Sequence, residues 1–184
     1  MKKQKVYILL TDTGTLFTKM IKLYTKKPYN HASIAFGRNL MEAYSFGRKN
    51  PRNPFKGGFV REDIQGHLFQ QARCSVYCCT VTDDELQKMN DYVDEMEAKK
   101  DLYRYNLIGL FAVIFNKPLE RRNAFFCSQF VATVLLECNV VAFEKPLSLI
   151  TPHDLQASPE FELVYQGKVA GFYTGTEMEL MHAI

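Results

Sequence analysis

The chain contains no tryptophan, so its 14 Phe and 10 Tyr must supply the aromatic bulk of a core. No apolar run approaches the length that spans a bilayer, which argues against an integral membrane segment. A glycine-rich phosphate loop and a Gly-x-Ser-x-Gly elbow are both missing, and with them the usual nucleotide cradle and serine-hydrolase turn. Charge of one sign is scarce: 23 Lys and Arg face 20 Asp and Glu, a net +3. The basic residues are dispersed, with Lys2, Lys3 and Lys5 at one end and Arg48, Lys49, Arg52 and Lys56 in a later stretch. That spread describes a solvated surface and weighs against a nucleic-acid partner. Paired Cys/His spacings of structural zinc sites are lacking too. Cys78 and Cys79 are adjacent and would point to opposite faces of a strand, so with Cys74 and nearby His67 they read as buried strand thiols. No metal and no cofactor is expected. Repeats, low-complexity tracts and evident linkers are absent, which leaves a single domain over 1–184.

Nearly half of the residues, 47%, are apolar and 23% are charged, the balance of a globular chain. The opening MKKQKVYILLTD resembles the start of a signal peptide, but Val6–Leu10 is too short for its apolar region and Thr11-Asp12 ends the run. Five cysteines, an odd count, then read as free thiols. The expectation is a cytoplasmic protein.

Residues 6–11 predict a strand, 15–23 a short helix and 26–30 a turn. HASIAF (31–36) and LMEAYSF (40–46) predict a hairpin about Gly37-Arg38-Asn39. GRKNPRNPFKGG (47–58) predicts a long loop, and 72–81 a further strand. Thr82 and Glu85 form a capping box ahead of an apolar stripe, Leu86, Met89, Val93 and Met96, with Lys99 and Lys100 at the far end. Residues 105–115 are apolar nearly all round, which predicts a buried helix. Another helix is expected over 124–137, a short helical start at Thr151-Pro152-His153-Asp154-Leu155, and two short strands over 161–173. Strands and helices come in groups, so the fold class is α+β with a mostly antiparallel sheet.

Cys127, in FFCSQFV, begins a strongly apolar helix. A helix N-terminus favours thiolate over thiol, and its free N–H groups suit an oxyanion. His31 opens a strand after a polar turn, where an imidazole can take or hold the thiol proton. Glu42 lies on the next strand and could fix the imidazole tautomer. With the turn at Arg38-Asn39, strand parity puts His31, Ala35 and Glu42 on one face, with Glu42 opposite Ala35. A bulge, twist or shifted turn must then bring Glu42 to His31. His153, beside Asp154, reads as part of a helix cap, and His182 lies in the tail.

HASIAF, MEAYSFG, YNLIGL and FFCSQFV, in that order, resemble the circularly permuted branch of the NlpC-type papain-like superfamily, which includes YiiX-like proteins and lecithin retinol acyltransferase-like enzymes. Unpermuted members carry the Cys helix before the His strand; here His comes first. The resemblance covers about residues 6–165 and implies a papain-like fold. It places the family nucleophile on Cys127, the base on His31 and the polar third member on Glu42. A family tyrosine near the oxyanion side falls on Tyr105, with Tyr103 a neighbouring candidate. Gln129 stands where many unpermuted relatives carry Gly, which implies a bulkier wall by the nucleophile. The implied activity is hydrolysis of an amide or peptide through an acyl-enzyme, on a small-molecule amide, peptide or acyl substrate. The 47–58 loop could cover the cleft and bind a substrate carboxylate. Two other readings stand beside it. One is acyl transfer or deacylation on a lipid-like ester or amide, using Phe125, Phe126 and the phenylalanines of 105–115. The other is a binding module that keeps the fold without catalysis.

Overall fold

The segment KQKVYILLTD is rich in β-branched and large apolar residues, and six consecutive positions of it are buried on both faces. It forms the inner strand about which the rest assembles. A computed structural model describes residues 3–13, 27–48 and 57–174. The chain runs β1 (Lys3–Asp12), β2 (His31–Ala35), β3 (Ala43–Arg48), β4 (Gly57–Glu62), α1 (His67–Gln70), β5 (Arg73–Thr82) and α2 (Asp83–Ala98). There follow β6 (Arg104–Tyr105), α3 (Leu107–Ile114), β7 (Ala124–Phe125), α4 (Cys127–Glu137), α5 (Pro152–Ala157), β8 (Glu162–Lys168) and α6 (Val169–Thr174). Six strands form one antiparallel sheet in the order β4-β3-β2-β1-β5-β8, and β6 and β7 form a small parallel pair. The class is α+β, as the grouping of elements predicts. The helix expected over 15–23 lies outside the described residues.

Period-two alternation divides the sheet into two apolar faces. Val6, Ile8, Leu10, Ala32, Ile34, Phe46 and Phe59 point to one, where α2 and α4 cover them. Tyr7, Leu9, Ala35, Ala43, Cys74, Val76 and Cys78 point to the other, under α1 and α6. Cys78 and Cys79 therefore sit in separate cores, as adjacent strand positions must. Aromatic rings fill the larger core: Phe46 packs on Phe59, Tyr103, Phe125 and Phe130 with ring centroids 5.1–6.1 Å apart.

The capping box at α2 forms as its sequence dictates. Thr82 Oγ1 accepts the Glu85 N–H, and the Glu85 carboxylate accepts the Thr82 N–H at 2.7 Å. Met89, Val93 and Met96 face the core. Thr151 and Asp154 repeat the device at α5, with Pro152 in the first turn.

Three expectations are corrected. The expected 47–58 loop is strand at both of its described ends: Gly47 and Arg48 close β3, and Gly57-Gly58 open β4, which runs on to Glu62 before α1. The 161–173 tail has one strand, not two. Pairing stops where Val169 N–H turns to the Ala72 carbonyl, and α6 begins. Most informative is the 105–115 helix. It spans only Leu107–Ile114, and Gly109 is its one buried residue. Ile108, Phe111 and Phe115 are 58%, 48% and 71% exposed. The helix buried all round is α4, which lies across β2 and β3 with every residue from Cys127 to Leu135 enclosed.

α3 is started by Asn106, whose Oδ1 accepts the Gly109 N–H at 2.9 Å. A Cβ on Gly109 would run into that capping amide. Gly109→Ala should therefore destabilise the fold by ~1–2 kcal/mol by dislodging the cap, although Ala is the better helix former. In an Asn106→Ala background the same change should be neutral or stabilising, by up to ~1 kcal/mol. Urea unfolding of the double-mutant cycle checks this.

Candidate active site

Cys127 is the first residue of α4, and its N-cap, Phe126, offers no side-chain acceptor. The first-turn N–H groups are thus left to the site. One of them, on Ser128, points at the Cys127 thiol, as does the N–H of Ala32 on β2. The Ser128 hydroxyl donates to the Ile150 carbonyl at 2.7 Å and ties the start of α4 to the segment leading into α5. The thiol is buried, which opposes its ionisation. A hydrogen bond from His31 and its positive charge outweigh that burial, so the Cys127 pKa falls below the ordinary thiol value.

His31 is the first residue of β2, at the strand end that the α4 N-terminus approaches. Its Nε2 lies 2.8 Å from Glu62 Oε1 and 3.2 Å from Ser45 Oγ. That leaves the other ring nitrogen, Nδ1, for the thiol. The Phe69 ring of α1 sits 6.3 Å from the imidazole, centroid to centroid, and helps to shield it. Burial alone would lower the His31 pKa. The Glu62 carboxylate, the thiol and their hydrogen bonds more than reverse this and raise it to about 10. Both shifts favour the imidazolium–thiolate form of the pair, with a carboxylate behind the ring.

Glu62 reaches His31 from β4, although β3 lies between β4 and β2. Neighbouring strands are ~4.8 Å apart, so the two side chains must meet above the middle strand. They can do so because β3 presents only the small residues Ala43, Ser45 and Gly47 on that face, Ala43 being the register partner of Glu62. A Cβ placed on Gly47 would lie 3.4 Å from Val60 Cγ2, 3.7 Å from Glu62 Oε1 and 3.8 Å from His31 Cε1. An Ala fits that space; a branched side chain does not.

The structure brings Cys127 and His31 together, as expected, and does not bring Glu42 to them. Glu42 is exposed and lies 3.9 Å from Arg61. The cause is register. The hairpin pairs Ala35 with Ala43, one residue beyond the predicted partner. A one-residue shift moves every side chain to the other face. The added residue is Leu40, which takes a left-handed backbone, φ 55°, and buries its side chain completely. Asn39 Oδ1 accepts the Met41 N–H and steadies this turn. The carboxylate that sequence reasoning missed, Glu62, belongs to the strand it missed. The β-favouring pair Phe59-Val60 after Gly57-Gly58 was the available signal.

Tyr105 lies on β6 beside Phe125 of β7, two residues ahead of Cys127, with its Cβ against Gly57 of β4. Tyr103 packs on Phe46 and Phe125 in the core. Neither tyrosine lines the cleft described next. Residues 49–56 of the expected covering loop lie outside the described residues, as does His182.

A cleft of about 230 Å³ opens beside Cys127. Leu110, Val113 and Ile114 of α3 and Phe126 give it an apolar wall; Lys27, Asn30, Thr151 and His153 line its polar side. His153 is thus at the cleft rim, exposed, after the Thr151 cap. No group of three His, Cys, Asp or Glu side chains among the described residues is placed to hold a metal. No family model matches the chain, and no curated protein is found to match it.

Two outcomes follow for the thiol. Alkylation of Cys127 should persist to lower pH than that of an ordinary cysteine, because its thiol pKa is lowered. It should drop only below that pKa. Imidazolium persists until pH approaches about 10. His31→Ala should slow alkylation at pH 7 by about thirtyfold, toward the few per cent thiolate of an ordinary cysteine. Iodoacetamide rates read by mass spectrometry decide it. Second, Gly47→Ala should keep the wild-type profile, whereas Gly47→Val should part His31 from Glu62 and reproduce the profile of Glu62→Gln. Glu42→Gln should leave the profile unmoved.

Proposed function

We propose that the chain is a cysteine-dependent hydrolase of amide or peptide bonds with a papain-like arrangement of Cys127, His31 and Glu62. The observation that carries this reading is the unbroken chain from thiol to imidazole to carboxylate, buried at a helix N-terminus. Structural cysteines show the opposite tendency: burial pushes the Cys79 thiol up to about 12. In the proposed reaction the Cys127 thiolate attacks the substrate carbonyl carbon. Charge gathers on the carbonyl oxygen, where first-turn N–H groups of α4 can meet it. The His31 imidazolium gives its proton to the departing amine as the carbon–nitrogen bond breaks, leaving an acyl-thioester. Neutral His31 then takes a proton from water, the hydroxide adds to the thioester, and Cys127 leaves as thiolate. Glu62 keeps the ring oriented and stabilises its charged form. Ser45, sharing Nε2, restricts the ring further.

A second reading, acyl transfer or deacylation of a lipid-like substrate at the same cysteine, is favoured by the apolar wall of Leu110, Val113, Ile114 and Phe126.

The test pairs turnover with trapping. Fluorogenic acyl amides should give an acyl adduct on Cys127 in intact-mass spectra and measurable release of the amine. Cys127→Ala should abolish both. Glu62→Gln should lower kcat by about a hundredfold, within the range of a general acid–base contribution, and Glu42→Gln by less than twofold. Turnover that survives Cys127→Ala would end the proposal. A wild-type protein whose Cys127 ionises as proposed yet acylates with no amide or ester would point to the fold used for binding alone.

A further inference from the structure

Between Asn106 and Asn116 the chain has no charged side chain and no hydroxyl: LIGLFAVIF. A helix of this composition belongs in a core or in lipid. α3 is in neither place among the described residues, since Ile108, Phe111 and Phe115 stand well exposed. Their i, i+3, i+7 spacing puts them in one ridge. The adjoining side of the same helix, Leu110, Val113 and Ile114, is the apolar wall of the Cys127 cleft. Immediately after the helix come Lys117, Arg121 and Arg122, all exposed, against the single acid Glu120. No helix among the described residues is long and apolar enough to cross a membrane. An exposed apolar ridge followed in sequence by three cations instead combines apolar area with attraction to anionic lipid, the two contributions that hold a segment at the interface.

We propose that the Ile108-Phe111-Phe115 ridge docks this protein on an anionic lipid surface, with Lys117, Arg121 and Arg122 against the headgroups and the Cys127 cleft opening beside the membrane. The excess of positive charge beside the ridge selects this occupant. A second copy of the chain would bring the same cations against themselves. Docking needs no chemistry at Cys127, so it stands or falls apart from the hydrolase reading.

Co-sedimentation of the full chain tests it, using vesicles of phosphatidylcholine with phosphatidylserine and vesicles of phosphatidylcholine alone. Wild type and Cys127→Ala should partition equally onto the mixed vesicles and less onto the neutral ones. Phe111→Asp with Phe115→Asp should lower partitioning at least tenfold on both. Phe115→Ser alone gives a milder variant should the double one lose its circular-dichroism spectrum. Arg121→Gln and Arg122→Gln should each weaken binding about fivefold on the mixed vesicles only. Failure of the wild type to partition overturns the proposal. So does binding indifferent to the phenylalanines, or a wild-type dimer that Phe111→Asp dissociates, which would make the ridge a self-association surface.

Discussion

The largely buried His31 ring stands between the Cys127 sulfur on one side and the Glu62 carboxylate on the other, and both favour its charged form. A lone imidazolium so buried would shed its proton, and a lone thiolate would take one. Each favours the charged form of the other, and Glu62 behind the ring adds to it. That support comes from two strands away, so the chemistry depends on a gap in the intervening strand. Ser45 and Gly47 leave the gap. The least conspicuous residues of β3 therefore bear on the setting of Cys127 at the start of α4.

The sheet makes this possible by dividing its labour between faces. Phe46, Phe59 and their aromatic neighbours fix β3 and β4 from the α4 side, while the opposite face of the same strands carries Ser45 and Glu62. The strands are thus anchored by large rings on one surface and free to be small and polar on the other. α4 is enclosed from Cys127 through Leu135, and Ser128 pins its first turn to Ile150. Cys127 consequently sits on the most fully enclosed helix among the described residues. The cleft wall sits on α3, one of the least buried.

Local signals in the sequence carried as far as local physics did. The α2 capping box, its apolar stripe, the α5 cap and the α+β grouping all follow from interactions within a few residues, and each is found where it is expected. Cys127 and His31 were legible because each has a local setting, a helix start and a strand start. Glu42 was misplaced because a hairpin register depends on how the turn is built, and Leu40 in a left-handed conformation is not a residue that announces itself there. Glu62 was missed because its strand is short, opens on two glycines and follows a stretch rich in turn residues. The exposed α3 was misread as buried because composition reports what a helix prefers to touch. Which helix receives the core position is decided by the sheet, and the sheet received α4.

The site also has an order of assembly. His31, Ser45, Glu62 and Cys127 come from four separate elements, and His31 and Cys127 are separated by more than half the chain. Contacts of such long range close late in folding. Until β2, β3 and β4 are paired and α4 has docked, Cys127 is one of five equivalent thiols. A nascent or unfolded chain therefore carries no privileged nucleophile. On the proposed reading, the nucleophile is therefore assembled only with completion of the tertiary structure.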